Sequence, residues 1–246
     1  MIADSSNAAP SGLKINLGCG PSGIDGWENY DWGALPLLSK FPFLRSLTVR
    51  AGLLPRGYHV PWPRIRLVDI RRKLPLRDGA AAFIYCSHVL EHLERWQALD
   101  VAKECRRVLA PGGRLRIAVP DLAWICHTYL TASRRPTDGA RPAQAACRLL
   151  WGHPKDERPS GPFARWRRRF IRGHEWAYDE AEMRLLLHQA GFEEISRHGF
   201  REGAFPDLDL IELEGHAVHS LYMEAGRERA QASDSSVHVP SRSSRA

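Results

Sequence analysis

The chain is predicted to fold as an α/β protein, with a mostly parallel sheet and crossover helices. Three observations predict this. Strand-like and helix-like stretches alternate from about Leu13 to Met223. The short apolar strand Leu13–Leu17 runs into Gly18-Cys19-Gly20, where backbone without a side chain can turn sharply and lie against a ligand. Acids then close the next two strands, at Asp31 and Asp69, and strand carboxyl ends are where open α/β sheets hold their ligands.

In order, Leu13–Leu17 is the first strand and Trp27–Asp31 the second, joined only by residues 18–26. That is too short for an ordinary crossover helix. The insertion 33–63 contains Pro36, Pro42, Pro55, Pro61 and Pro63, with a short helix expected around Leu44–Arg50 and Pro42 preventing a longer one. Ile65–Asp69 and Ala81–Cys86 are the third and fourth strands. Val89–Leu109 carries apolar residues at helical spacing (Leu90, Leu93, Ala98, Val101, Ala102, Cys105, Val108), with Pro111-Gly112-Gly113 as its stop. Arg114–Val119 is a strand and Leu122–Ala132 a helix. Residues 134–172 are basic and proline-rich. A helix over Asp179–Ala190 begins with acids and stops at Gly191. Phe192–Arg197 and Ala217–Met223 supply the last strands.

The 246 residues suffice for one α/β domain with a core. On this reading residues 1–11 are a disordered leader, 12–225 the domain, and 226–246 a Ser- and Arg-rich disordered tail. No apolar run approaches the ~20 residues of a membrane span, and the start lacks the basic and apolar regions of a signal peptide. A cytoplasmic location is expected. Five cysteines, none spaced as C-x-x-C, read as buried reduced thiols, with Cys19, Cys86, Cys105 and Cys126 in or beside regular elements. The net charge is +7 and the sequence pI about 9.4. Basic residues cluster at Arg71-Arg72-Lys73 and, between Trp166 and Phe170, within Arg165–Arg172. Such surfaces attract phosphates, whether of nucleic acid, lipid or sugar.

The ordered set Gly18-Cys19-Gly20, Asp31, Asp69, the run from Tyr85-Cys86-Ser87-His88 to Leu90-Glu91-His92-Leu93, and Arg107-Val108-Leu109-Ala110-Pro111-Gly112-Gly113 resembles class I S-adenosylmethionine-dependent methyltransferases. Within them it is most similar to the small bacterial group of the methyltransferase-11 type. The resemblance covers 13–133 well and 173–225 more loosely. It implies a Rossmann-like, seven-stranded sheet with an antiparallel last strand, the shortened first crossover, and S-adenosyl-L-methionine as cofactor. It also implies roles. Gly18, Cys19 and Gly20 would meet the methionine part, Asp31 the ribose hydroxyls (Glu28 as fallback), and Trp32 the adenine. Asp69 would accept from the adenine amino group while Ile70 lines the ring and the Ser87 backbone passes beneath. The chain reads Leu74-Pro75-Leu76-Arg77-Asp78 where the group has Leu-Pro-Phe-x-Asp.

His88 is the side chain best placed to face the methyl group, and its neutral imidazole could take a proton from an acceptor hydroxyl. His174 and Tyr178, ahead of the late helix, are the next candidates for acceptor contact. His88, Glu91 and His92 at i, i+3 and i+4 would share one helix face, a spacing able to hold a divalent ion, although no metal is expected. Asp121 would cap the helix after Pro120 or face substrate. The expected reaction is O-methylation of a small molecule or of a saccharide or lipid-linked glycan, with 33–63 and 134–172 as the acceptor lid. A nucleic-acid methyltransferase using Arg165–Arg172 is the main alternative, although neither an Asn-Pro-Pro-Tyr pocket nor a Pro-Cys pair is present. A non-catalytic cofactor-binding module is the other.

Overall fold

The computed structural model describes residues 12–50, 62–134, 139–152 and 173–229. The expected leader, the tail beyond Arg229 and the Arg165–Arg172 cluster lie outside them.

Seven strands form one sheet: β1 (Leu13–Leu17), β2 (Glu28–Asp31), β3 (Ile65–Leu67), β4 (Ala81–Ser87), β5 (Leu109–Pro120), β6 (Glu194–His198) and β7 (Ser220–Gly226). Their order is β3-β2-β1-β4-β5-β7-β6. All pairs from β3 to β5 are parallel, and β7 runs antiparallel between β5 and β6. This is the mostly parallel, Rossmann-like sheet anticipated above. The order reverses between β1 and β4, which creates a crevice at their carboxyl ends. A single 3₁₀ turn, Gly20–Ser22, stands where the first crossover helix would be.

The helices are α1 (Ala34–Ser39), α2 (Pro42–Arg50), α3 (Arg95–Val108), α4 (Leu122–Arg134), α5 (Pro142–Trp151), α6 (Glu180–Gln189) and α7 (Leu208–Ile211). Pro42 does break the insertion into two short helices, as its missing N–H requires. The helix expected from Val89 begins instead at Arg95. Leu93 and Glu94 are extended, and the Gln97 side chain accepts from the Glu94 N–H at 3.2 Å, which fixes the helix start there. Residues 90–92 form a 3₁₀ turn, so His88, Glu91 and His92 do not share an α-helical face. The last strand starts at Ser220 rather than Ala217, because Glu214–His216 wind into a 3₁₀ turn.

Apolar side chains of β1, β4 and β5 (Ile15, Leu17, Ile84, Leu115, Ile117, Val119) pack under α3 and α6, whose buried faces carry Ala98, Val101, Cys105, Met183, Leu186 and Leu187. Cys19, Cys86 and Cys105 are buried, but Cys126 is exposed on α4, contrary to expectation, and Cys147 is exposed on α5; all five thiols are free.

The opposite face is covered by the segment before β7, where Phe205, Leu208 and Ile211 pack on Trp27 and Tyr85. An ionic hub pins this segment. Arg116 of β5 is completely buried. Its Nε donates to Glu212 at 2.5 Å and its Nη1 to Glu224 at 2.8 Å, while the Glu202 and Gly199 carbonyls take two further N–H groups. The Tyr222 ring lies 5.3 Å from the guanidinium. Removing one partner from such a set strands the other charges in a dry interior. Arg116→Met is expected to lower unfolding free energy by about 3–5 kcal/mol in urea titrations, whereas Arg66→Met, which cuts an exposed pair to Glu28, is expected to cost under about 1 kcal/mol.

Candidate active site

The β1 tip and the β4 tip meet closely. Gly18 has φ +68, and a Cβ there would sit 2.2 Å from Val89 Cγ2, so both its conformation and its packing require glycine. The Gly18 and Cys19 N–H groups donate to the Tyr30 carbonyl at 2.7 and 3.2 Å, tying the loop to β2. Gly20, at φ +52, is the reverse case: a Cβ would meet nothing within 4 Å, so its face is open. Asp31 clamps this loop, with one carboxylate oxygen accepting from the Gly20 N–H at 2.7 Å and the other from the Trp32 N–H at 2.6 Å. Burial raises the Asp31 pKa, and the two N–H donors oppose the rise. Glu28 instead pairs outward with Arg66.

A cavity of about 420 Å³ opens at this edge, lined by Gly18, Asp31, Trp32, Asp69, Ile70 and His88 among others. The volume is within the range of small-molecule sites. Asp69 is held bidentately by Arg71 at 2.8 and 2.8 Å; that bond, above all, lowers its pKa and keeps it ionised. Sequence reasoning treated Arg71 only as part of a basic run. Ile70 is buried and Trp32 exposed, so the wall offers one fixed and one free apolar surface.

His88 follows the last residue of β4 in a left-handed conformation, φ 53, uncommon for a residue other than glycine and concentrated at functional sites. Its Nε2 lies 2.9 Å from Ser220 Oγ. Its Nδ1 lies 3.1 Å from a Glu91 oxygen, yet neither Glu91 oxygen makes an aligned hydrogen bond among the described residues. Burial lowers the His88 pKa to about 4, so the ring is neutral near pH 7. The His216 ring stacks 3.8 Å away, with His219 at 6.0 Å. Sequence reasoning missed these two and Ser220. Because β7 is antiparallel, Ser220 pairs with Pro120, which delivers the residues before β7 to the carboxyl edge. The run His216-Ala217-Val218-His219-Ser220 was the available signal, once β7 is known to reverse.

The remaining expected residues divide between those that behave as read and those that lie away from the cavity. Cys19 is buried and does not line the cavity; desolvation lifts its thiol pKa to about 12. The Ser87 side chain bonds Tyr85, which leaves only its backbone for the expected role. Asp121 caps α4, accepting from the Ala123 and Trp124 N–H groups at 2.9 and 3.2 Å. Tyr178 does not offer acceptor contact: it is fully buried in the main core, and its backbone pairs with Asp121 and Leu122. His174 sits beside Glu91 in a separate small hollow.

Glycine backbone at the first strand tip, acids at the second and third, and an imidazole at the fourth around a cavity of this size define an enzyme that binds a nucleoside-like cofactor. The open face of Gly20, the two carboxylates and the apolar wall of Ile70 and Trp32 fit an adenosyl group bearing an amino-acid tail. Residues 41–197 match the profile of a family described as a methyltransferase domain, and the chain belongs to that family. It is an S-adenosylmethionine-dependent methyltransferase. The match defines this class, not the methyltransferase-11 subtype. No curated protein matches the sequence. Solved structures of similar shape include a Thermotoga maritima SAM-dependent methyltransferase (14% identity, 89% of this chain and 84% of that one, TM-score 0.45). A Pyrococcus horikoshii protein (16%, 91% and 85%, 0.47) and a Methanosarcina mazei SAM-dependent methyltransferase (15%, 89% and 93%, 0.46) are others. Such distant likenesses say nothing about substrate.

The histidine cluster has a thermodynamic consequence. Desolvation, then repulsion from His88 and His219, lowers the His216 pKa to about 4. Between that value and the ~6.5 of an unfolded histidine, the unfolded chain binds more protons, so stability falls as pH falls through this window. His216→Gln is expected to remove on the order of 1–2 kcal/mol of the stability loss between pH 6.5 and 4, as read by urea midpoints of the two proteins at each pH.

Proposed function

We propose that the protein transfers a methyl group to a hydroxyl of a small, saccharide or lipid-linked acceptor, and that His88 is the general base. The observation carrying this reading is His88 itself: a neutral imidazole held at φ 53 on the cavity wall. Bound S-adenosyl-L-methionine supplies an activated methyl group on a sulfonium. The chain's residues then have three tasks.

The first is binding. The Gly18 and Gly20 backbone would face the amino-acid end, Asp31 the ribose hydroxyls, and Asp69 the adenine amino group, with Ile70 and Trp32 against the ring. An ionised carboxylate accepts two hydroxyl hydrogens more strongly than a neutral acceptor does. The second is alignment of the acceptor oxygen with the methyl group, with water kept out. The third is removal of the hydroxyl proton by a His88 ring nitrogen. Ser220 and Glu91 flank its two ring nitrogens and would hold its orientation.

The lipid-linked acceptor class draws support from the insertion. Trp32 and Gly33 line the cavity and lead into α1 and α2. These helices and the link between them expose Leu37, Phe41, Phe43, Leu44 and Leu47, with Phe43 84% exposed. Their charged residues are Lys40, Arg45 and Arg50, and no acid occurs from Trp32 to Val68. An apolar face with only positive charge suits an amphiphile with an anionic head. The nucleic-acid alternative rests on Arg165–Arg172, outside the described residues.

Asparagine tolerates the left-handed region but cannot act as a base. His88→Asn is expected to keep cofactor affinity within a few-fold while turnover falls about 10²–10⁴-fold. Methyl-labelled cofactor added to fractionated lysate of the source cell should label a lipid or saccharide fraction in an alkali-stable ether. Label confined to nucleic acid, or undiminished in His88→Asn, contradicts the proposal.

A further inference from the structure

We propose that Glu91, His92 and His174 form a binding site for one divalent transition-metal ion on the rim of the cofactor cavity. One ligating atom from each of the three lies within 4.8 Å of the other two. Two imidazoles and one carboxylate are the donor set that zinc and neighbouring first-row metals favour. An ion bonded at about 2.1 Å to each holds tetrahedral ligands about 3.4 Å apart, so small side-chain rotations close the set.

Four features of the site bear on ion binding. Glu91 is 1% exposed, and neither of its carboxylate oxygens accepts an aligned hydrogen bond among the described residues, although the His88 ring lies 3.1 Å from one of them. A carboxylate is seldom left so in a protein interior unless it is paired or coordinates a metal. Next, His92 Nδ1 lies 3.1 Å from the Gly173 carbonyl. A carbonyl only accepts, so Nδ1 carries the proton and Nε2 keeps its lone pair; metal-binding histidines are oriented by such bonds. The His174 ring is likewise bonded by the Leu150 backbone. Third, the segment bearing His174 is clipped onto Glu91: the Glu175 and Trp176 N–H groups both donate to the Glu91 carbonyl, at 2.7 and 3.2 Å. The ligand set is therefore built by backbone contacts before any ion binds. Fourth, Glu91 and His174 line a hollow of about 10 Å³, close to the room of one water-sized body.

The three residues come from two segments far apart in sequence. The i, i+3, i+4 spacing of His88, Glu91 and His92 does not describe the proposed ligand set, since residues 90–92 are a 3₁₀ turn and both His88 ring nitrogens already have neighbours, Ser220 at 2.9 Å and Glu91 at 3.1 Å. His174 replaces His88 as the third ligand.

Three protein ligands leave coordination positions open, as in catalytic rather than structural sites. His92 also lines the large cavity, so the ion stands at its edge. There it could bind an acceptor oxygen and lower the pKa of its hydroxyl, complementing the weakly basic His88. That role rests on the methyl-transfer reading; ion binding itself does not.

The test uses the full-length protein stripped with chelator and titrated with Co²⁺, read by visible d–d absorption and by equilibrium dialysis, then displaced with Zn²⁺. One equivalent should bind saturably. His174→Ala and the isosteric Glu91→Gln should each weaken binding at least tenfold while circular dichroism and S-adenosylhomocysteine binding persist, and the exposed His188→Ala should bind as wild type does. Absence of saturable Co²⁺ binding in the wild type overturns the site. So does equal affinity in His174→Ala, Glu91→Gln and wild type. Because S-adenosylhomocysteine binding is measured on the stripped protein, failure of the metal site is distinguishable from failure of the methyltransferase reading.

Discussion

The approach of Gly18 to Val89 governs the arrangement. β1 and β4 are neighbours at the point where strand order reverses, so the chain leaving each tip must diverge, and the space between becomes a crevice. Only a residue without a Cβ lets the two tips come this near. With the tips fixed, Asp31 reaches back to the Gly20 N–H, and the loop needs no crossover helix to hold its shape. The short first connection thus leaves the cofactor edge intact, with a carboxylate-to-backbone clamp where a helix N-terminus would ordinarily stand.

The second constraint is the reversal of β7. An antiparallel strand inserted between β5 and β6 brings its amino-terminal end to the edge where the parallel strands end. His216, His219 and Ser220 therefore join His88, which none of the first four strands could have arranged. The segment that makes this turn is held to the sheet by Arg116, buried with two glutamates and two carbonyls. A buried charge cluster is weak evidence of stability, yet this one ties residues 199–212 to the sheet, since Arg116 donates to the Gly199 and Glu202 carbonyls and to the Glu212 carboxylate as well as to Glu224 of β7. Structural and site-forming demands meet in the same stretch of chain.

Much of this was legible in the sequence. Strand β1 was read to the residue, and the cores of β2, β4 and α6 followed from apolar period and acidic or glycine stops. The cavity gathers Gly18, Asp31, Trp32, Asp69, Ile70 and His88, each marked in advance by its place at a strand end. What the sequence hid was tertiary. The periodicity of Leu90 and Leu93 continues that of α3, so a 3₁₀ turn and an extended link looked like one helix. Tyr178 stands next to a histidine at the site edge, but its ring turns inward to the core. Arg71 reads as one more arginine until its fork is seen on Asp69. The pairing of His174 with Glu91 depends on backbone bonds between segments more than eighty positions apart in the numbering, and no local pattern encodes it.

The central claim is that the crevice between β1 and β4 holds the adenosyl cofactor. Calorimetric titration of the full chain with S-adenosylhomocysteine, wild type against Asp69→Ala, tests it most directly. The account predicts one saturable site in the wild type and an affinity at least tenfold weaker in the variant. No measurable binding to the wild type, or equal affinity in both proteins, would contradict it.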